Sequence, residues 1–281
     1  MSRCWRDRTR AWKAKKGTAV SEASHATLEA GEANAAALRA FGALDALDVA
    51  LLFDVDGTLI DIGPAPFDVD VPDTLRQSLD RLLTLTGGAL ALVSGRPIRD
   101  LDRLFAPLVL PAVGGHGAEM RLRGGEPAAS VPDLPKALRE RLIAAVDPAT
   151  GVEYEDKGYS VALHYRRAPE HAARLQAHVA ESRAAFAGED TEVLPGKMMI
   201  EVKRPGIDKG TGIRRLMRHK PFVGRVPVFI GDDVTDEAAF AAMPALGGMS
   251  FSVSRNFDGL SGVFSSPSEV RRALQDLAGT K

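Results

Sequence analysis

The chain is short of cysteine, of long apolar runs and of net charge, and each shortage closes off a class of protein. One cysteine in 281 residues, Cys4, excludes an internal disulfide and a multi-cysteine zinc site, and it fits a reducing compartment. No stretch reaches the roughly 18 apolar residues that a membrane helix needs. The opening "MSRCWRDRTRAWKAKKG" is basic with no apolar run behind it, unlike a secretory signal. A formal net charge of −1 argues against a general polyanion-binding surface. At 45% hydrophobic, the chain is able to bury a substantial core. The expectation is a soluble, cytoplasmic globular protein, a monomer by default, with neither membrane nor nucleic acid as partner.

What is present divides the chain into blocks. Residues 1–17 hold seven Lys/Arg and one Asp together with both tryptophans, Trp5 and Trp12, and residues 18–40 turn rich in Ala and Glu. This predicts a solvated extension and then a helix over 1–44. An arm that docks on an anionic surface or another protein is the alternative. From residue 45 short apolar runs alternate with helical periodicity. "VALLFDV" (49–55), "ALALVSG" (89–95) and "VLPAVGG" (109–115) read as strands buried on both faces. Between them lie a helix with Asp73 at its N-cap and a helix opened by Pro97. Alternating strands and helices are the grammar of a parallel sheet.

Residues 116–203 read differently. Helices stand beside alternating, half-exposed strands, two of which join at Lys157-Gly158, so this block is an inserted α+β unit. The first grammar resumes over 204–281, with "VPVFIGDD" and "GMSFSV" as further strands. The expected fold is α/β: a Rossmann-like parallel-sheet core in two segments, 45–115 and 204–281, carrying the insert.

Ligands of open parallel sheets bind beyond the carboxyl ends of the strands. Four strand ends here carry polar or glycine-rich sequence: "FDVDGTL", "VSGR", "VGGHGAE" and "IGDDVTDE". Residues two apart in extended chain point to one side, so Asp54 and Asp56 face one site, Gly57 lets the chain turn and Thr58 lines the turn. Two close buried carboxylates repel. Magnesium is the natural remedy, because it prefers oxygen and uses few carboxylates beside waters and substrate phosphate. Asp232 offers a further oxygen from the far side. With such an ion bound, Asp54 stays ionised as a nucleophile, and a protonated Asp56 is able to donate to a leaving alcohol. A transferring phosphoryl group also needs donors and cations, which Ser94 with Gly95, and Lys209 at a helix start, supply.

"DVDGTL", "SGR", "DKG" and "GDDVTDE" stand in the order of the four motifs of the haloacid-dehalogenase-like (HAD) phosphatases, and the insert resembles that superfamily's larger type of cap. On "HGAE", "PGKMMIEV" and the GDDxTDE form, the chain resembles the trehalose-6-phosphate phosphatase family over roughly residues 48–260. The resemblance implies a Mg2+-dependent hydrolysis of trehalose 6-phosphate, a small sugar phosphate, through an aspartyl-phosphate. It makes Asp54 the nucleophile and Asp56 the general acid and then base. It assigns magnesium to Asp54, the Asp56 carbonyl and Asp232, and phosphate to Thr58, Ser94, Gly95 and Lys209. Asp233 and Asp236 would orient Lys209 or the metal's waters. Glu119, Lys197 and Glu201, with Arg96 and His116 at the cap junction, would meet the sugar.

These residues also have ordinary readings. Ser94-Gly95 alone caps a helix. Asp233 and Asp236 suit the positive end of the helix that follows them. Lys197 and Glu201 pair on an exposed sheet face. Two other functions stay open: a related phosphatase for another sugar phosphate such as sucrose phosphate, and a sugar-phosphate-binding module without turnover.

Overall fold

Strand β1 (Val49–Phe53) is buried along its whole length and lies inside the main sheet. The computed structural model describes residues 34–279 apart from 36, 64–67, 126–127, 130 and 197, so the basic arm, its tryptophans and Lys197 lie outside the described residues. On one side of β1 run β2 (Leu90–Val93) and β3 (Ala112–Gly114), both parallel to it. On the other side run β10 (Val226–Gly231), β11 (Met249–Val253) and β12 (Gly262–Phe264), also parallel. Chain order therefore reverses between β1 and β10, and such a switch point opens a crevice at the strands' carboxyl ends.

Helices cover both faces, which is why the strand runs are apolar without alternation. Leu51 and Phe53 pack with Leu75, Leu79 and Leu82 of α1 (Asp73–Leu85), Ile98 and Leu101 of α2 (Ile98–Phe105), and Val270 and Leu274 of α7 (Pro267–Ala278). Ala50 and Leu52 pack with Ile213 and Leu216 of α5 (Lys209–Leu216) and Phe240 of α6 (Glu237–Ala242).

The insert is a four-stranded antiparallel sheet in the order β6 (Glu153–Asp156), β7 (Ser160–His164), β9 (Met199–Lys203), β8 (Glu192–Gly196). Its β6–β7 hairpin turns at Lys157-Gly158, as the sequence predicts. Val161, Leu163, Ile200 and Val202 form a second core with α3 (Lys136–Ile143) and α4 (Ala172–Ala185).

Five details depart from expectation. The half-exposed alternation fails in β7 and β9, because Ser160, Ala162, Glu201 and Lys203 on the other face are buried too. That face lies toward the core, whose Ala118 packs with Tyr159 and Ile207. Strands β4 (Glu119–Arg121) and β5 (Ala128–Ala129) lie within 116–203 yet extend the core sheet antiparallel, since β3 turns straight back on itself. Pro72, not Asp73, takes the N-cap of α1; the Asp73 carboxylate pairs instead with Arg76 at 3.0 Å. Strand β12 is three residues long, too short to show periodicity. Finally, the end of the expected 1–44 extension is core: residues 37–42 are helical, and Phe41 meets Phe251 and Phe264 edge-on, each at 5.9 Å.

Candidate active site

The ladder of β1 runs one residue past the strand, with the Asp54 N–H donating to the Ile230 carbonyl at 2.9 Å. This places Asp54 beside the ends of β10 and β2. The chain then turns, with Thr58 and Leu59 both donating to the Val55 carbonyl. Gly57 sits at φ +80°, and a Cβ there would fall 2.2 Å from an Asp232 carboxylate oxygen. Only glycine both makes this turn and leaves room for that carboxylate. Thr58 Oγ1 donates to Asp232 Oδ1 at 3.1 Å and lies 3.5 Å from Asp54 Oδ2.

Lys209 arrives from the opposite side. Asp208 caps α5, accepting from the Thr211 N–H at 2.7 Å while Thr211 Oγ1 accepts the Asp208 N–H at 3.2 Å. The first residue of the helix is therefore Lys209, whose buried ammonium donates to Asp54 Oδ1 and to Asp236 Oδ1, each at 2.6 Å. The other Asp236 oxygen accepts the N–H groups of Asp232 and Asp233 at 2.9 and 3.0 Å. Asp236 thus meets Lys209, whereas Asp233 is exposed and turns to Arg255 at 3.3 Å.

Carboxylate oxygens of Asp54, Asp232 and Asp236 gather within 4.8 Å of one another. Burial pushes the Asp54 carboxyl well up, Lys209 pulls it down, and Asp236 and Asp232 push it up again. Burial and the Asp236 charge likewise raise Asp232. Burial works against the Lys209 ammonium, but Asp54 and Asp236 outweigh it and hold it charged. One ammonium does not balance this cluster, and all its donors are oxygens. Those properties fit a hard divalent cation such as Mg2+. Both Asp236 oxygens are already engaged, so Asp54 and Asp232 are the better ligands.

Asp56 is partly exposed and gripped at both oxygens by Arg96, with Nε and Nη2 each at 2.6 Å. Arg96, expected at the sugar, thus stands on Asp56. Ser94 is buried at the end of β2 next to Gly95, and its Oγ accepts the Arg96 N–H at 3.1 Å. His116 adopts φ 56°, uncommon for a non-glycine residue, and its ring lies against Gly95. Burial and then the Lys209 charge lower its pKa to about 4, so the imidazole is neutral at pH 7.

Glu119 spends Oε2 on the Ile98 N–H at 2.7 Å, capping the start of α2. Glu201 is 3% exposed and far from an open sheet face. Its Oε1 accepts from Ser160 Oγ at 2.7 Å and from Lys157 Nζ at 3.5 Å. Burial raises this carboxyl, but Lys157 and Ser160 outweigh it and hold it below its ordinary value. Lys157 also meets Glu155 at 3.5 Å. Sequence reasoning missed Lys157 and Glu155, since a Lys-Gly hairpin bend normally points to solvent. The signal was the register: Glu155, Ala162 and Glu201 stand in one cross-strand row.

A central parallel sheet with acidic strand ends, joined to an α+β insert, defines a protein of the HAD-like class. Among solved structures, the C-terminal domain of Candida albicans trehalose-6-phosphate phosphatase superposes with TM-score 0.67 at 23% identity, covering 87% of this chain and 96% of that one. The family model for trehalose-phosphatase matches residues 52–278. Trehalose-6-phosphate phosphatase of Escherichia coli K12 is 41% identical over 212 residues, 73% of this chain and 77% of that protein. A probable trehalose-phosphate phosphatase of Sinorhizobium fredii is 42% identical over 206 residues, with the same coverage. The chain belongs to the trehalose-phosphatase family and is a phosphatase. Among the described residues, no helix is long and apolar enough to cross a membrane.

Proposed function

We propose that this phosphatase hydrolyses trehalose 6-phosphate to trehalose and inorganic phosphate, with Mg2+ as its cofactor. The observation that carries this is the buried meeting of Asp54, Asp232 and Lys209 at the carboxyl ends of neighbouring strands. Asp54 and Asp232, with the Asp56 carbonyl, would hold the ion, which when bound offsets the negative charge of carboxylates and phosphate.

Asp54 attacks phosphorus, and the bond from phosphorus to the sugar oxygen breaks as Asp56 gives that oxygen a proton. Asp56 then takes a proton from water, whose oxygen attacks phosphorus and frees Asp54. Lys209 and Thr58 orient the Asp54 carboxylate, and Lys209, Ser94 and the Gly95 backbone bind the phosphoryl oxygens. Arg96 fixes where Asp56 points. The sugar would lie between the core and the insert, against His116, Glu201 and Lys157, with Glu119 at its edge; the family resemblance adds Lys197. Residues 131–203 act as the cap, excluding water over the phosphate. The enzyme works in the cytoplasm, a reading supported by the single cysteine, and as a monomer by default.

The test is phosphate release from trehalose 6-phosphate, sucrose 6-phosphate and glucose 6-phosphate, with magnesium or EDTA, beside Asp54→Asn. The expected result is magnesium-dependent turnover of trehalose 6-phosphate, lowered at least ~10³-fold in Asp54→Asn. Preference for another sugar phosphate would keep the chemistry and replace the substrate. Binding without turnover would favour the non-catalytic module.

A further inference from the structure

The core carries a groove of about 530 Å³ between the helix at residues 37–42 and α7. Its apolar lining is Leu38, Phe41, Ala273 and Leu277, and Leu38 is 39% exposed. The charged groups along it are unequal. Glu269 spends Oε1 on Asn34 at 3.0 Å and Oε2 on the Ser265 N–H and hydroxyl at 2.8 and 2.7 Å. Arg272 stands in the field of that carboxylate. Asp276 meets no cation among the described residues, and the last turn of α7 holds no basic residue. The groove therefore offers an apolar floor and, at its Asp276 end, negative charge to which the last carbonyls of α7 add.

The sequence holds a segment of matching character that has no part in the chemistry above. Seven of residues 1–17 are Lys or Arg, and both tryptophans lie among them. Trp12 is followed by Lys13, Lys15 and Lys16 with no acid between, whereas Asp7 follows Trp5 by two positions. An indole is a large apolar body, and lysine lays its stem along apolar surface while its ammonium seeks charge or water. The described chain starts at Asn34, already bonded to the Glu269 that lines the groove. Trp12 precedes Asn34 by 22 positions. Extended chain covers up to about 3.3–3.6 Å per residue, which is ample for a return along the two turns of α7 beside the groove.

We propose that the basic segment 1–17 docks on its own core in this groove, with the Trp12 indole seated between Leu38 and Leu277 and the lysines that follow it turned to Asp276. The arm's partner is then this chain's own α7 rather than a nucleic acid or a membrane surface.

Tryptophan fluorescence tests this, because Trp5→Phe leaves Trp12 as the only tryptophan in the chain. In dilute native protein the Trp12 emission should lie to the blue of free tryptophan and be shielded from acrylamide. Leu38→Glu places a charge on the exposed wall, and Asp276→Lys reverses the charge at the rim. Each, made in the Trp5→Phe chain, should move the emission to the red and raise quenching toward that of free tryptophan, with an unchanged far-UV circular dichroism spectrum. Asp276 is exposed, so its variant keeps the test decisive if Leu38→Glu does not fold. Emission of free tryptophan in the Trp5→Phe protein would overturn the docking. So would blue emission that either folded variant leaves in place, or a blue shift that appears only as protein concentration rises, which would seat the arm on a second copy.

Discussion

The two surfaces that face each other across the site are built to different tolerances. On the core side, Lys209 meets Asp54 and Asp236 at 2.6 Å each, and Arg96 grips both Asp56 oxygens at 2.6 Å. On the insert side, Ser160 holds Glu201 at 2.7 Å, but the Lys157 ammonium meets Glu155 and Glu201 only at 3.5 Å. The tight set suits chemistry, which needs groups preorganised where charge develops. The loose Lys157 contacts keep donor capacity for hydroxyl groups, which suits the proposed sugar side. Tyr159 on Gly115 is one place where the two surfaces touch.

The largest break in this contrast comes from the core side. Lys209→Met leaves buried carboxylates uncompensated, and unfolding in urea should show a loss of about 3–5 kcal/mol together with loss of turnover. A loss under about 1 kcal/mol would mean that Asp54 and Asp236 relax apart, and the core side would not be the rigid half.

His116 lies between the two surfaces, and its effect is expected to be smaller and confined to acid. Its folded pKa, about 4, is below the ordinary 6.5. Between those values the unfolded chain binds a proton that the folded protein refuses, so stability is complete above pH 6.5 and is lost as the pH falls toward 4. Relative to His116→Gln, the wild type should lose up to about 3 kcal/mol across that window. Parallel pH profiles for the two proteins would place the imidazole in water instead.

The smallest effect belongs to the insert. Lys157→Met should raise KM for trehalose 6-phosphate about tenfold, leave kcat nearly intact, and spare p-nitrophenyl phosphate. A fall in kcat on both substrates would assign Lys157 to holding the insert together, and the difference between the surfaces would disappear.

Legibility in the sequence follows the same divide. The runs around Leu51, Leu92 and Phe229 announce buried parallel strands, and the acidic strand ends bring Asp54, Asp232 and Lys209 together as expected. Arg96 was legible as a site residue but not as the clamp on Asp56, since 40 positions separate them and no local pattern links them. Phe41 was hidden in an Ala-rich stretch whose partners, Phe251 and Phe264, come more than 200 residues later. The insert's polar face was misjudged most. Alternation shows which residues share a face, but not whether water or another part of the chain covers it.

By itself, then, the sequence determined what is local: the apolar runs that must be buried, the Gly57 turn, the Asp208 cap that opens α5 at Lys209, and the oxygen-rich strand ends. Tertiary structure alone decided which charges meet and how tightly. Burial, dielectric and partner distance depend on chain segments far apart in sequence, and only when the insert lies on the core do Glu201, Lys157, His116 and Tyr159 leave water and acquire the fields that set their chemistry.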